Sequence, residues 1–311
     1  MNYKIKIENA FEEEGKVDLR RLTDIAEGIL HIAEGALQIR LTGISFSKGR
    51  KASYLNDALA IKLSGIHKGS TVIDLECEPF EKTIDKVQYD LFKQDIYKEL
   101  LNDTPVSLVI KSFNNALDEN APKDFLDKSL LLELKQFDNV FRSSEETIFF
   151  LNQGTISELQ LQKNDFSKIE ILEKETPDPQ HIILNGKIDV LEYSKTRAKI
   201  ITKEGLVEAI LGNQIKPEEI RNYWGEEVTI VGTAYYKPGG NISFILIEKI
   251  FEPGSGDEYF SFKPHSESVE QQISNQIKEK YKQGNPLKDI VGKWPGEESD
   301  EEFEQLLKEI D

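Results

Sequence analysis

The residues best suited to chemistry in this chain are four histidines and one cysteine, and their spacing argues against a catalytic or metal centre. His31, His67, His181 and His265 are scattered, with no pair at the separations that hold a metal ion. Cys77 lies in Leu75-Glu76-Cys77-Glu78. Two flanking carboxylates disfavour a thiolate, so this pattern predicts a residue facing a core and not a nucleophile. Gly65-Ile66-His67-Lys68-Gly69-Ser70-Thr71 has the residue types of a phosphate loop in the wrong order, because Lys68 precedes Gly69. A hairpin turn is the expectation there. No catalytic residue, metal or cofactor is expected from these patterns.

Binding chemistry is better represented. Phe303, Leu306, Leu307 and Ile310 fall at i, i+3, i+4 and i+7, one face of a helix. Ser299 and Glu302 form a capping-box start for it. A helix this short is marginal alone in water, since nucleation costs more than a few turns return. Its apolar face needs a surface, and both the chain's own body and another protein are open. From Glu297 to Asp311 eight residues are acidic and Lys308 is the only base. Such a segment favours a basic groove. Trp294 and Pro295 precede it, and Trp294 adds a large apolar anchor.

The whole chain is acidic, with a formal net charge of -17 over 311 residues. That disfavours wholesale binding to nucleic acid unless cations cluster. Lys48, Arg50 and Lys51 form one short patch, read as a solvated loop. One cysteine excludes an intrachain disulfide. No stretch has the apolar length of a membrane span, and the N-terminus alternates like a first strand and lacks a signal peptide's apolar core. A cytoplasmic location is the expectation.

The elements that would carry these groups fall into an α+β arrangement. Residues 1–172 read as an α+β domain with a helical middle segment over 81–142. A strand from Tyr3 to Glu8 precedes a helix from Asp18 to Ile39, whose stripe includes Leu19, Leu22, Ile25, Ala26, Ile29, Ala33, Ala36 and Leu37. Leu59 to Ser64 and Ile73 to Glu78 alternate as a ribbon. Residues 146–172 return to strand character. His31 is placed in the core or at its boundary. Residues 173–179, with two prolines, read as a linker.

Residues 181–252 show three strands, a short helix from Pro217 to Gly225, then two strands. This order resembles the OB-fold, a small five-stranded barrel. Single-strand binders on that fold need a basic groove with aromatic platforms. Arg197 and Lys199 are candidate nucleic-acid contacts, but residues 195–214 hold no aromatic side chain. The barrel is therefore expected to be a scaffold, with Tyr235, Tyr236, Phe244 and Trp224 in packing roles. Residues 266–311 form a helical acidic tail, opened by Val269, Ile273, Ile277 and Tyr281 at spacing four.

Leu287 to Phe303, with Gly292-Lys293-Trp294 followed by acids and the short amphipathic helix, resembles the C-terminal tail of bacterial type II antitoxins. The arrangement also resembles a family of uncharacterised bacterial proteins with an α+β N-terminal region, a Gly-Ser-Thr hairpin like Gly69-Ser70-Thr71, a small barrel and such a tail. The resemblance implies a partner, a PIN-domain-like ribonuclease toxin with a basic groove. It also implies that Trp294, Pro295, Phe303, Leu306, Leu307 and Ile310 are the partner-binding residues. The chain departs from the usual antitoxin in its length, and no DNA-binding module is evident at its N-terminus. The leading expectation is antitoxin-like neutralisation of a ribonuclease. The alternatives are an OB-fold nucleic-acid-associated protein and a hydrolase with a site assembled in the middle region.

Overall fold

The structure is a computed structural model. It describes residues 1–9, 16–45, 57–67, 71–83, 99–152, 158–192, 197–203, 205–212, 215, 217–240, 242–254, 257, 273–274 and 277–278. The chain divides into two compact units, Met1–Ser268 and Val269–Asp311.

The first unit begins with an antiparallel sheet. Its strands are β1 (Asn2–Glu8), β2 (Ile61–His67), β3 (Thr71–Cys77), β4 (Thr147–Asn152) and β5 (Leu159–Gln162), in the spatial order β2-β3-β1-β4-β5. Alternation assigns the faces. Tyr3, Ile5 and Ile7 of β1, Ile73 and Leu75 of β3, Ile148 and Phe150 of β4 are buried on one side. Lys4 and Lys6 fall on the other.

Helices cover the buried face. Helix α1 (Leu19–Thr42) starts at Asp18, whose side chain accepts hydrogen bonds from the Arg20 and Arg21 backbone N–H groups. That satisfies two donors that a helix start leaves without partners. Its buried stripe is Ile25, Ile29, Ile32, Ala33, Ala36 and Leu37. Leu19 and Ala26 depart from the expected stripe and are exposed, Leu19 at 78%, because the buried face of the first turns passes through Arg21 and Ile25 instead. After a single helical turn, α2 (Phe80–Thr83), come α3 (Pro105–Leu117) and α4 (Lys128–Gln136). Helix α3 opens with a Thr104–Ser107 capping box and Pro105 in its first turn. Phe113, Phe137, Phe141 and Phe166 make edge contacts in the core between these helices.

Helix α5 (Asp165–Glu175) replaces part of the strand character expected over 146–172. Phe166 and Ile169, three residues apart, are its buried residues. The linker expected at 173–179 is shorter as a result, since α5 runs to Glu175 and the next strand starts at Gln180.

That strand opens a closed five-stranded barrel consistent with an OB-like fold. Its strands are β6 (Gln180–Glu192), β7 (Arg197–Thr202), β8 (Gly205–Leu211), β9 (Glu227–Tyr236) and β10 (Ile242–Phe251). The order around the barrel is β10-β8-β7-β6-β9, and β9 returns to pair with β6. All pairings are antiparallel except β8 with β10, which is parallel. Helix α6 (Pro217–Arg221) lies between β8 and β9. Ile182, Ile188, Ile200, Ile220, Val228, Ile230, Ile245 and Ile247 fill the interior. Gly232 is required by a close approach. A Cβ there would lie 2.2 Å from the Leu246 carbonyl oxygen.

In the second unit, Ile273, Ser274, Ile277 and Lys278 are helical. Ile273 is 51% exposed and Ile277 is 47% exposed. Trp294, Pro295, Phe303, Leu306, Leu307 and Ile310 lie outside the described residues, as do Lys48, Arg50, Lys51, Gly69, Ser70 and His265. No helix among the described residues is long and apolar enough to cross a membrane.

Candidate functional site

A cleft of about 320 Å³ opens where the end of α1 faces the outer surface of β7 and β8. Its geometry follows from two local features. Helix α1 stops at Gly43, whose φ of 90° is left-handed, and the Gly43 N–H donates to the Ile39 carbonyl at 2.9 Å. This C-cap uses the freedom that glycine has at positive φ. A Cβ added at Gly43 would lie 3.7 Å from Phe244 and 3.9 Å from Ile210, so the helix end reaches the barrel's side chains. On the barrel, Ala198 and Ile200 point inward and are buried. Period-two alternation therefore puts Arg197 and Lys199 on the outer face, where both line the cleft.

Four cations line the cleft, Arg40, Arg197, Lys199 and Lys237, with two carboxylates, Asp124 and Glu208. The cations differ in their commitments. Lys237 pairs with Asp124 at 2.8 Å. Arg40 donates from Nη1 to the Ala36 carbonyl at 2.8 Å, and its guanidinium lies 4.6 Å from the Phe125 ring centroid. A cation in the last turn also complements the helix dipole. Burial pushes the Arg40 guanidinium down to about 10, while the charges of Asp103 and Glu99 act to raise it. It stays cationic at neutral pH. Arg197 and Lys199 have no side-chain hydrogen bond or ion pair among the described residues, although Lys199 sits opposite Glu208 in the β7–β8 register.

The apolar wall comes from Ile39, Leu100, Phe125, Val190, Ile210 and Phe244. Phe244 is stacked on Tyr235 with centroids 4.8 Å apart and planes 13° apart. Burial pushes the Tyr235 phenol up, helped by the negative charges of Glu248 and Asp127. The arrangement offers two uncommitted cations beside an apolar surface. It is suited to holding an anion with an apolar body.

The two barrel residues picked out from sequence, Arg197 and Lys199, are thus brought together. Arg40, Phe125, Lys237 and Phe244 were not foreseen as partners in one site. The aromatic groups absent from residues 195–214 are supplied by β10 and by the segment before α4. Arg40 at the end of an amphipathic helix was the one local signal available, and a basic last turn has a bland explanation in the helix dipole.

The other predicted groups separate. His31 lies at the surface, with Nδ1 3.5 Å from Glu133. His67 pairs with Asp74 at 2.6 Å on the sheet. His181 stands 3.9 Å from Glu248 on the barrel. Among the described residues no group of histidines, cysteines and acids could hold a metal ion. Cys77 is buried, and burial is the main reason its thiol is raised, with Glu78 a minor contributor. Trp224 is not a core residue. It is 64% exposed, and its indole N–H donates to the Asp189 carbonyl at 3.1 Å.

No protein-family model, curated protein or solved structure matches the chain. Function must therefore be argued from its own residues.

Proposed function

We propose that this chain is an antitoxin-like binding protein whose acidic C-terminal tail, 266–311, folds onto a ribonuclease toxin and neutralises it. The single structural observation that supports the reading is at the start of the tail. Ile273 and Ile277 are four residues apart, each is helical, and both are about half exposed. They begin an apolar stripe that has a surface still to gain. Trp294, Phe303, Leu306, Leu307 and Ile310 extend the apolar content, and the intervening acids suit the basic groove of an RNA-cleaving enzyme. The tail acts by occupying that groove in place of RNA. The rest of the chain is cytoplasmic scaffold in this reading.

The test begins beside the gene. A small ribonuclease-like reading frame is expected there, and its product should arrest growth when expressed alone. Full-length chain should relieve the arrest, whereas a chain ending at Pro286 should not. Equal relief by both would reject the tail as the neutralising element.

A second reading, an OB-fold nucleic-acid-associated protein, is favoured by one observation. Arg197 and Lys199 lie on the outer β7 face, and the corresponding face of OB-folds takes oligonucleotides. Tight single-strand binding lost on changing both residues to alanine supports this alternative. Among the described residues the hydrolase reading gains no cluster of histidines, cysteines and acids to carry it.

A further inference from the structure

We propose that the cleft between α1 and the barrel is a binding site for a mononucleotide-sized ligand, a phosphate joined to a flat ring. The inference stands apart from the tail reading. It shares two cations with the nucleic-acid reading but assigns them a different ligand.

The phosphate position follows from the strand. Arg197 and Lys199 are two residues apart on one face of β7, hence about 6–7 Å apart along the strand. Neither makes a hydrogen bond or ion pair among the described residues, and the one carboxylate beside them, Glu208, stands opposite Lys199 and leaves Arg197 as the stronger anchor. In a chain of net charge -17, two uncommitted cations side by side are an exception to the overall field. Arginine offers a planar fork of donors to a phosphate, and lysine adds a point charge.

The ring position follows from the opposite wall. Arg40 is held over Phe125, and guanidinium planes and aromatic rings are surfaces on which bases stack. Ile39, Val190, Ile210 and Phe244 supply apolar surface between the two ends. Asp124 is already paired with Lys237 and presents less repulsion to an anion.

Size decides between one nucleotide and a strand. The cleft of about 320 Å³ lies near the lower end of ligand pockets, which run from about 300 to 1,000 Å³. The end of α1, through Ile39, Arg40, Thr42 and Gly43, also walls one side of this space. One nucleotide fits this space, and a run of stacked bases needs a longer open groove.

Titration calorimetry on the full chain tests the assignment. The probes are adenosine monophosphate, uridine monophosphate, adenosine, inorganic phosphate and a single strand of about ten nucleotides. At least one mononucleotide should bind saturably, with adenosine and inorganic phosphate each weaker by about tenfold or more. Arg197→Ala and Lys199→Ala should each weaken that binding by about tenfold, with Arg197→Lys intermediate. Both side chains are outside the barrel core, so the melting temperature should not move. Two results overturn the proposal. One is no saturable mononucleotide binding at millimolar concentration. The other is a strand that binds through Arg197 far more tightly than either mononucleotide, which leaves the nucleic-acid reading standing alone.

Discussion

Arg21 and Glu146 meet in two parallel hydrogen bonds, Nη1 to Oε1 at 3.0 Å and Nη2 to Oε2 at 2.8 Å, with both side chains fully buried. The pair joins the first turns of α1 to the residue preceding β4. Glu146 Oε2 also accepts from the Arg142 backbone N–H at 2.7 Å. A bidentate pair of this kind is geometrically specific, and its value lies in never being half-made. Arg21→Met should therefore cost about 3–5 kcal/mol in urea unfolding, because it leaves the Glu146 carboxylate buried without its cation. Arg21→Met combined with Glu146→Leu should recover much of that loss. A double variant no more stable than the single would show that the ion pair is not the cause.

Gly232 makes a comparable prediction for the barrel. Its absent Cβ would sit 2.2 Å from the Leu246 carbonyl oxygen, which belongs to backbone on β10 and cannot swing aside. Gly232→Ala should destabilise the barrel by at least about 1–3 kcal/mol, the usual range for forced overpacking. Thermal melting of the chain ending at Pro286 provides the measurement. An unchanged melting temperature would mean that the β9–β10 spacing is looser than this contact implies.

Alkaline pH should weaken the fold through Tyr236. Burial pushes its phenol up to about 12, and the hydroxyl has no hydrogen-bond partner among the described residues. The unfolded phenol ionises near its ordinary value of 10.0. Stability from keeping this group neutral is complete below that pH and is lost as pH rises towards the folded value. Between these two values the unfolded chain has already released its proton and the folded chain has not. Tyr236→Phe should flatten the fall in melting temperature across that window. It should also be neutral or stabilising by up to about 1 kcal/mol at pH 7, since it removes an unsatisfied buried hydroxyl.

For the proposed tail function, Trp294→Ala and Leu307→Ala should each weaken toxin binding by roughly 1.5–3 kcal/mol, the worth of one large buried apolar side chain. Neither should alter unfolding of residues 1–286. Surface plasmon resonance against the toxin, run beside thermal melts, separates a binding defect from a folding one. Full binding by the Trp294→Ala, Leu307→Ala double variant would remove the tail from the interface.

Much of the barrel was legible because its punctuation is chemical. Pro217 opens α6, Gly239 and Gly240 at positive φ turn β9 into β10, and alternation marks each strand. Helix α5 was harder to see. Asn164 makes no side-chain cap, and two buried residues, Phe166 and Ile169, are too few to establish a helical period. Trp224 misled because a large ring suggests burial, whereas its indole N–H has a backbone partner at the surface. The cleft was only half visible. Arg197 and Lys199 share a strand, so their common face follows from period two. Arg40 and Phe125 reach them through the three-dimensional arrangement of α1 and the barrel, which no spacing within either segment encodes.

The parallel seam between β8 and β10 has a consequence for how the molecule meets its neighbours. Each of the five barrel strands has a neighbour on both sides, although β8 meets β10 over only three register pairs, so no barrel strand is an open edge along its whole length. The other sheet is open, with β2 and β5 as edge strands that could take an added strand. A visitor to the doubly paired stretches of the barrel meets side chains, where charge and shape decide what is admitted.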